Sequence, residues 1–272
     1  MTNTQKRIVS AFTIIAGVIG IFLIGPEAVL AFVAFVGLLA IDELLVNFLK
    51  RSRASVSYLF SQVLFVGSFA WLNFLQDSPE PFRWVAVAAC LVNIVLLIFL
   101  FTNAGFSKKL RRTLEKYPPT SAVLLGLPFL SFSSLFQNEK WIIFCWSFLF
   151  VTYFVDTGAW FFGKRYGKNK LWPAVSPGKT VEGTVGGVMS SVILSTLYWS
   201  FLIGPIQWSV LLFLIGLSLA SQTGDLVQSK FKRIYGLKDS STLIPGHGGV
   251  YDRVDSLIFV APFYAFMLEF VI

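Results

Sequence analysis

The chain has 272 residues, of which 56% are hydrophobic, 17% aromatic and only 13% charged, with a formal net charge of +8. A soluble domain carries about 25% charged and about 45–50% apolar residues, so this chain has too few charges to clothe a water-facing surface. The composition excludes an ordinary soluble enzyme, a disordered chain and, despite the positive charge, a nucleic-acid binder. It fits an all-α polytopic integral membrane protein. Cys90 and Cys145 lie in apolar runs and read as buried thiols, since two such residues make neither a disulfide framework nor a zinc site.

A membrane-crossing helix takes about 20 mainly apolar residues, and about nine stretches qualify. In chain order they are 8–25, 28–49, 56–75, 83–102, 119–136, 141–162, 185–204, 207–227 and 257–272. The stretch 119–136 is Ser-rich and contains Pro128, and the last is short. Strand-period alternation is absent, which argues against an outer-membrane barrel. The first run follows Lys6 and Arg7 as in a secretory signal, but no clear small-residue cleavage pattern follows it, so it reads as a retained helix. With the N-terminus in the cytoplasm, all of the 22 Lys and Arg residues except Arg83 and Lys140 fall in cytoplasmic segments. Cytoplasmic loops carry this excess of basic residues, so the pattern predicts an extracytoplasmic C-terminus. Residues 1–140, about five spans, read as a scaffold with oligomer contacts. Residues 141–272 carry the remaining spans and nearly all the polar chemistry.

Charges within a span cost several kcal/mol and usually face a cavity or a partner. Asp156, in the sixth span, and Asp225, in the eighth, both lie toward the cytoplasmic ends and are predicted to face one polar cavity. Asp42 and Glu43 end the second span beside Lys50 and Arg51 and read as an interfacial acidic pair. The 163–184 segment combines five cations with turn and donor residues in Ser176-Pro177-Gly178-Lys179-Thr180-Val181-Glu182-Gly183, a composition suited to holding phosphates. Gly178-Lys179-Thr180 ends like a P-loop, but Pro173 stands where that loop needs its first glycine. The 221–256 segment packs Asp225, Asp239, Asp252 and Asp255 among Lys230, Lys232, Arg233, Lys238, Arg253 and His247, the only histidine. Carboxylates are hard ligands suited to Mg²⁺, which usually binds protein through one or two of them plus substrate phosphates. Pro245-Gly246-His247-Gly248-Gly249 is predicted to form a tight turn that lets backbone approach a ligand. Asp252 and Asp255 share one face if the stretch is helical. Read from residues alone, this is a membrane-embedded enzyme open to the cytoplasm that handles phosphates with Mg²⁺.

From Ser229-x-Phe231-Lys232-Arg233 through Lys238-Asp239 and Pro245-Gly246-His247-Gly248-Gly249 to Asp252-Arg253-x-Asp255, the chain resembles the CDP-diacylglycerol synthase family, or phosphatidate cytidylyltransferases. Asp156-x-x-Ala159-Trp160-x-x-Gly163-Lys164 and Ser176-Pro177-x-Lys179-Thr180-x-Glu182-Gly183 are similar to that family too. Gly178 and Gln228 depart from it. The resemblance implies transfer of CMP from CTP to phosphatidate with release of pyrophosphate, in a cell membrane, at a site facing the cytoplasm. It implies one or two Mg²⁺ ions, with an additional monovalent cation left open, and makes a homodimer an expectation. On this reading Asp225 and Asp252 ligate metal, and Asp239, Asp255 and Asp156 serve a second ion or surround the first. Lys179, Lys232, Arg233, Lys238 and Arg253 hold triphosphate or phosphatidate. Ser176 and Thr180 donate hydrogen bonds, Glu182, Gly248 and Gly249 line the substrates, and His247 either donates to pyrophosphate or shapes the turn. The competing expectations are a CTP-dependent kinase of polyprenol-type lipids and, from another class, an ion-coupled transporter.

Overall fold

The computed structural model describes Thr13 and residues 16–244 and 248–272, and the described chain is mainly helical. After a helical stretch over 16–24 come α1 (Pro26–Glu43), α2 (Val56–Ala70), α3 (Glu80–Phe101), α4 (Ala104–Lys116), α5 (Thr120–Ser133) and α6 (Trp141–Tyr166). A hairpin of β1 (Lys170–Trp172) and β2 (Ser176–Thr180) leads to α7 (Val181–Leu202), α8 (Trp208–Ile234) and α9 (Tyr251–Leu268). Helices α1 and α2 each run on into a π-helical turn, Leu44–Phe48 and Trp71–Leu75. Local chemistry marks the starts. Pro26 opens α1, where its missing N–H costs nothing. The side chains of Ser55, Asn103 and Thr180 accept from the first free N–H groups of α2, α4 and α7, as N-caps do.

Helix α5 is central, packed against α1, α2, α3 and α9. Its serines suit that place because Ser121, Ser131 and Ser133 donate to carbonyls of their own segment, Pro118, Leu127 and Leu130, at 2.6, 2.8 and 2.8 Å. A hydroxyl paired in this way leaves nothing unsatisfied in an apolar surround. The α6–α7 contact is the closest packed, and it is built on small residues. A Cβ on Gly187 would stand 2.6 Å from the Val155 carbonyl, and one on Gly183 2.8 Å from that of Ala159. Such residues let helix backbones approach closely. Ser191 Oγ donates to Val151 O at 2.8 Å and Ser218 Oγ to Ser191 Oγ at 3.0 Å, tying α8 to the pair. Large apolar side chains face outward, among them Val56, Val63, Trp84, Phe201 and Trp208, as expected where lipid replaces water.

Among the described residues, 7 helices are long and apolar enough to cross a membrane: Pro26–Phe48, Val56–Leu75, Glu80–Phe101, Thr120–Gln137, Trp141–Tyr166, Val181–Leu202 and Trp208–Ile234. They correspond to the second through eighth expected spans. Of the first expected span, 8–25, residues 8–12, 14 and 15 lie outside the described residues, and the described stretch 16–24 is helical but too short to qualify. The ninth coincides with α9, whose first two turns carry Asp252, Arg253 and Asp255, leaving too short an apolar stretch to qualify by composition. Several helices overrun their expected ends: α8 continues to Ile234 because helical hydrogen bonding does not stop where hydropathy does. Two elements stand where loops were expected, the amphipathic α4 and the 170–180 hairpin. Cys90 and Cys145 are free thiols, the second buried.

Candidate active site

The C-terminal half of α8, the start of α9 and the connection between them form one polar assembly. Gly236, at φ +68, ends α8 in the left-handed conformation common after helices. The connection then returns, and the Ile244 N–H donates to Gly248 O at 2.8 Å. Residues 245–247 of the expected turn, His247 among them, lie outside the described residues. Asp252 is the organising acceptor. Its Oδ1 receives Lys232 Nζ at 2.7 Å and Gln228 Nε2 at 3.2 Å. Its Oδ2 receives the N–H groups of Ser240 and Gly249 at 2.7 and 3.0 Å, with Ser240 Oγ also at 3.0 Å. Gly248 has φ +85, and a Cβ there would lie 2.7 Å from Asp252 Oδ2, so glycine is required on both counts. Burial pushes the Asp252 carboxyl up, but the Lys232 ammonium and these N–H donors hold it below the ordinary carboxylate range.

A second ion pair comes from the hairpin. β1 and β2 pair antiparallel with Lys170 opposite Thr180 and Trp172 opposite Ser176. This directs Lys179 inward, where its Nζ meets Asp225 Oδ2 at 2.8 Å and both the backbone and side-chain oxygens of Gln222 at 3.2 Å. Ser229 Oγ donates to Asp225 Oδ1 at 3.3 Å. Asp156, Asp225 and Asp255 lie within reach of one another's charge, with Lys179 and Arg253 beside Asp156. Asp255 and Gln228 also border a cavity of about 20 Å³ with Asn93, Gly224 and Phe259. Thr180 caps α7, its Oγ1 accepting from the Gly183 N–H at 3.1 Å. Glu182 faces the preceding turn, accepting from Lys168 N at 3.1 Å and Asn169 Nδ2 at 2.7 Å. Arg233, Lys238, Asp239 and Arg253 are exposed at the rim, and Ser176 is half-buried.

The reading of Glu43 as an interfacial acid is corrected. Asp42 does pair at the surface, with Arg53 at 2.8 Å and with the Tyr58 hydroxyl at 2.7 Å rather than with Lys50 or Arg51. Glu43 instead is 3% exposed and turns into the 240–251 connection. Its Oε1 accepts from Ser241 Oγ at 2.7 Å and Val250 N at 2.8 Å. Its Oε2 accepts from Ser240 Oγ at 2.7 Å and Tyr251 N at 2.9 Å. Asn47, in the π turn, donates from Nδ2 to Ser240 O at 2.8 Å. The signal for Glu43 was its setting, an acid between Ile41-Asp42 and Leu44-Leu45-Val46. Nothing comparable marked Asn47, Gln222 or Ser240. Lys230, one of the cations of the 221–256 segment, turns away from these acids and donates to the carbonyls of Phe99, Leu100 and Thr102 at 2.7, 3.0 and 2.8 Å. It caps α3, as a cation suits a helix C-terminus.

Among the described residues no group of three or more His, Cys, Asp or Glu side chains stands in ligand geometry for a metal ion. The donor set nonetheless suits a hard cation: three neighbouring carboxylates, with Ser221 Oγ and Gln228 Oε1 buried and without a hydrogen-bond partner.

A model of the Cytidylyltransferase family matches residues 5–271. Over 273 residues the chain is 31% identical to the phosphatidate cytidylyltransferase of Bacillus subtilis, covering 98% of each. It is 34% identical over 267 residues to that of Staphylococcus aureus, covering 97% of this chain and 98% of the relative. Against the Staphylococcus saprophyticus enzyme it is 35% identical over 239 residues, 87% of this chain and 80% of the relative. With the paired acids and lysines of α8, α9 and the hairpin falling inside a match that spans almost every residue, the chain belongs to the cytidylyltransferase family.

Proposed function

We propose that this membrane protein transfers the cytidylyl group of CTP to phosphatidate, giving CDP-diacylglycerol and pyrophosphate. The observation that carries the reading is the convergence of two Lys–Asp pairs, Lys179 with Asp225 and Lys232 with Asp252. It occurs in a chain whose relatives are named phosphatidate cytidylyltransferase along nearly their whole length. The phosphatidate phosphate, already anionic, attacks the α-phosphorus of CTP, and pyrophosphate leaves. No protein nucleophile is needed, so the residues act by positioning and by neutralising charge. Lys179 and Lys232 sit deepest and suit the triphosphate. Arg233, Lys238 and Arg253 at the rim suit the phosphates of either substrate, with Ser176, Gly248 and Gly249 beside them.

Asp225 with Asp156 and Asp255 would hold Mg²⁺, and Asp239 lies farther out. Mg²⁺ bound there would neutralise phosphate charge. Asp252 is already engaged by Lys232 and by the N–H groups of Ser240 and Gly249, so its ligating an ion requires that Lys232 move. The distribution of Lys and Arg supports nine spans, a cytoplasmic N-terminus, an extracytoplasmic C-terminus and a site open to the cytoplasm.

The test is pyrophosphate release by the purified, detergent-solubilised protein given phosphatidate, CTP and Mg²⁺, with the lipid product identified by mass spectrometry. A CDP-lipid with lipid-dependent pyrophosphate is expected. CDP formed from CTP and a lipid alcohol would replace the reading with a kinase, and ion flux in proteoliposomes lacking CTP would replace it with a transporter.

A further inference from the structure

We infer that Glu43 and Ser240 position Asp252, so that the N-terminal half of the chain sets the geometry of the nucleotidyl-transfer site; this rests on the assignment of Asp252 and Lys232 to that site. Glu43 is a buried carboxylate with no cation against it among the described residues. Such a group is tolerated only when its oxygens are fully hydrogen-bonded, and each Glu43 oxygen takes two donors. Two of these donors are the N–H groups of Val250 and Tyr251, the N-cap and first residue of α9. Glu43 therefore caps α9 from another helix, one residue before Asp252, at the positive end of the helix dipole.

Ser240 is the joint between the two acids. Its Oγ stands 2.7 Å from Glu43 Oε2 and 3.0 Å from Asp252 Oδ2, and its N–H binds Asp252 Oδ2 at 2.7 Å. One hydroxyl carries one proton, and the shorter contact directs it to Glu43. Glu43 thus fixes Ser240, and the Ser240 backbone fixes Asp252, which holds Lys232. Asn47 grips the same residue by its carbonyl. The π turn at Leu44–Phe48 brings both side chains to one loop residue, a use consistent with π-bulges at functional sites. Gly249 completes the device, since a Cβ there would overlap Ser240 Oγ and Glu43 Oε2.

The test is a kinetic double-mutant cycle on the full-length enzyme, with pyrophosphate release and thermal midpoint measured on each variant. Glu43→Gln turns an amide donor toward donors already present. It is expected to lower kcat at least about tenfold and to change the KM for CTP less than about threefold, as misplacement of a reacting surround does. Ser240→Ala is expected to lower kcat by about the same factor, and the double variant no further than Glu43→Gln alone, because residues acting through one joint are not additive. Leu72→Ala, a fully buried core residue after α2, is expected to lower the midpoint while leaving kcat per folded molecule unchanged. Wild-type kcat in Ser240→Ala, multiplying losses in the double variant, or an equal loss of kcat in Leu72→Ala would each overturn the proposal. If Glu43→Gln yields no folded protein, Asn47→Ala takes its place in the cycle and the same outcomes decide. Asp252→Asn separates the premises: near-normal turnover there removes the site assignment itself, whereas its loss beside an intact Ser240→Ala removes only the positioning role.

Discussion

Asp225 and Asp252 share a chemical type but have different surroundings. Asp225 accepts from Lys179 and Ser229, whereas Asp252 accepts from two side chains and two backbone N–H groups. Neutralising either leaves a lysine ammonium partly buried without its counter-charge, and removing one partner of such a pair is strongly destabilising. In a site that works by charge placement it also removes the electrostatic term. Asp225→Asn and Asp252→Asn are therefore expected to lower turnover at least about a hundredfold in protein that still inserts, read as pyrophosphate release per folded molecule. Lys50 provides the contrast. It is exposed, has φ 53 and makes no ion pair among the described residues, so Lys50→Gln is expected to stay within about twofold of wild type. A large loss there would mean that the site extends to the end of α1 at the surface.

At the scale of elements, the α6–α7 pair carries the hairpin and so the placement of Lys179. Its contact depends in part on Gly183 and Gly187, whose nearest neighbours are the backbone carbonyls of Ala159 and Val155, and backbone cannot swing aside. Gly187→Ala would set a methyl 2.6 Å from Val155 O, an overpacking that costs about 1–3 kcal/mol. Gly216, in the middle of α8, has nothing within 4 Å of its Cβ position, so Gly216→Ala is expected to be neutral or to gain up to about 1 kcal/mol from helix propensity. Thermal midpoints of the two variants in the same detergent check this: a fall of several degrees for the first and none for the second. Equal behaviour would mean that the α6–α7 contact is looser than drawn. These helices were legible in the sequence as apolar runs, and Thr180 was picked out as a site residue. The hairpin was not, because Lys170–Trp172 and Ser176–Thr180 are too short and too polar to carry a period-two signal.

For the whole molecule, topology decides which substrates can meet. With Cys90 and Cys145 replaced, a membrane-impermeant thiol reagent is expected to label Asn138→Cys in intact cells and Lys109→Cys only after permeabilisation. The reverse pattern would invert the nine-span arrangement. Much of this protein was readable without coordinates. Seven spans followed from local composition, since a helix in lipid must satisfy its backbone internally and present apolar residues along its whole length. The grouping of Lys179, Lys232, Asp225 and Asp252 followed from motif chemistry, since so many charges in an apolar chain have few places to go. Only the tertiary structure decided the partners of Glu43. Its partners Ser240 and Tyr251 lie 197 and 208 residues away, and no periodicity links positions so distant. The same holds for Lys230, whose acceptors end a helix about half the chain earlier. A hydrogen bond within a helix is written in neighbouring residues, whereas one between helices exists only once packing has brought donor and acceptor together.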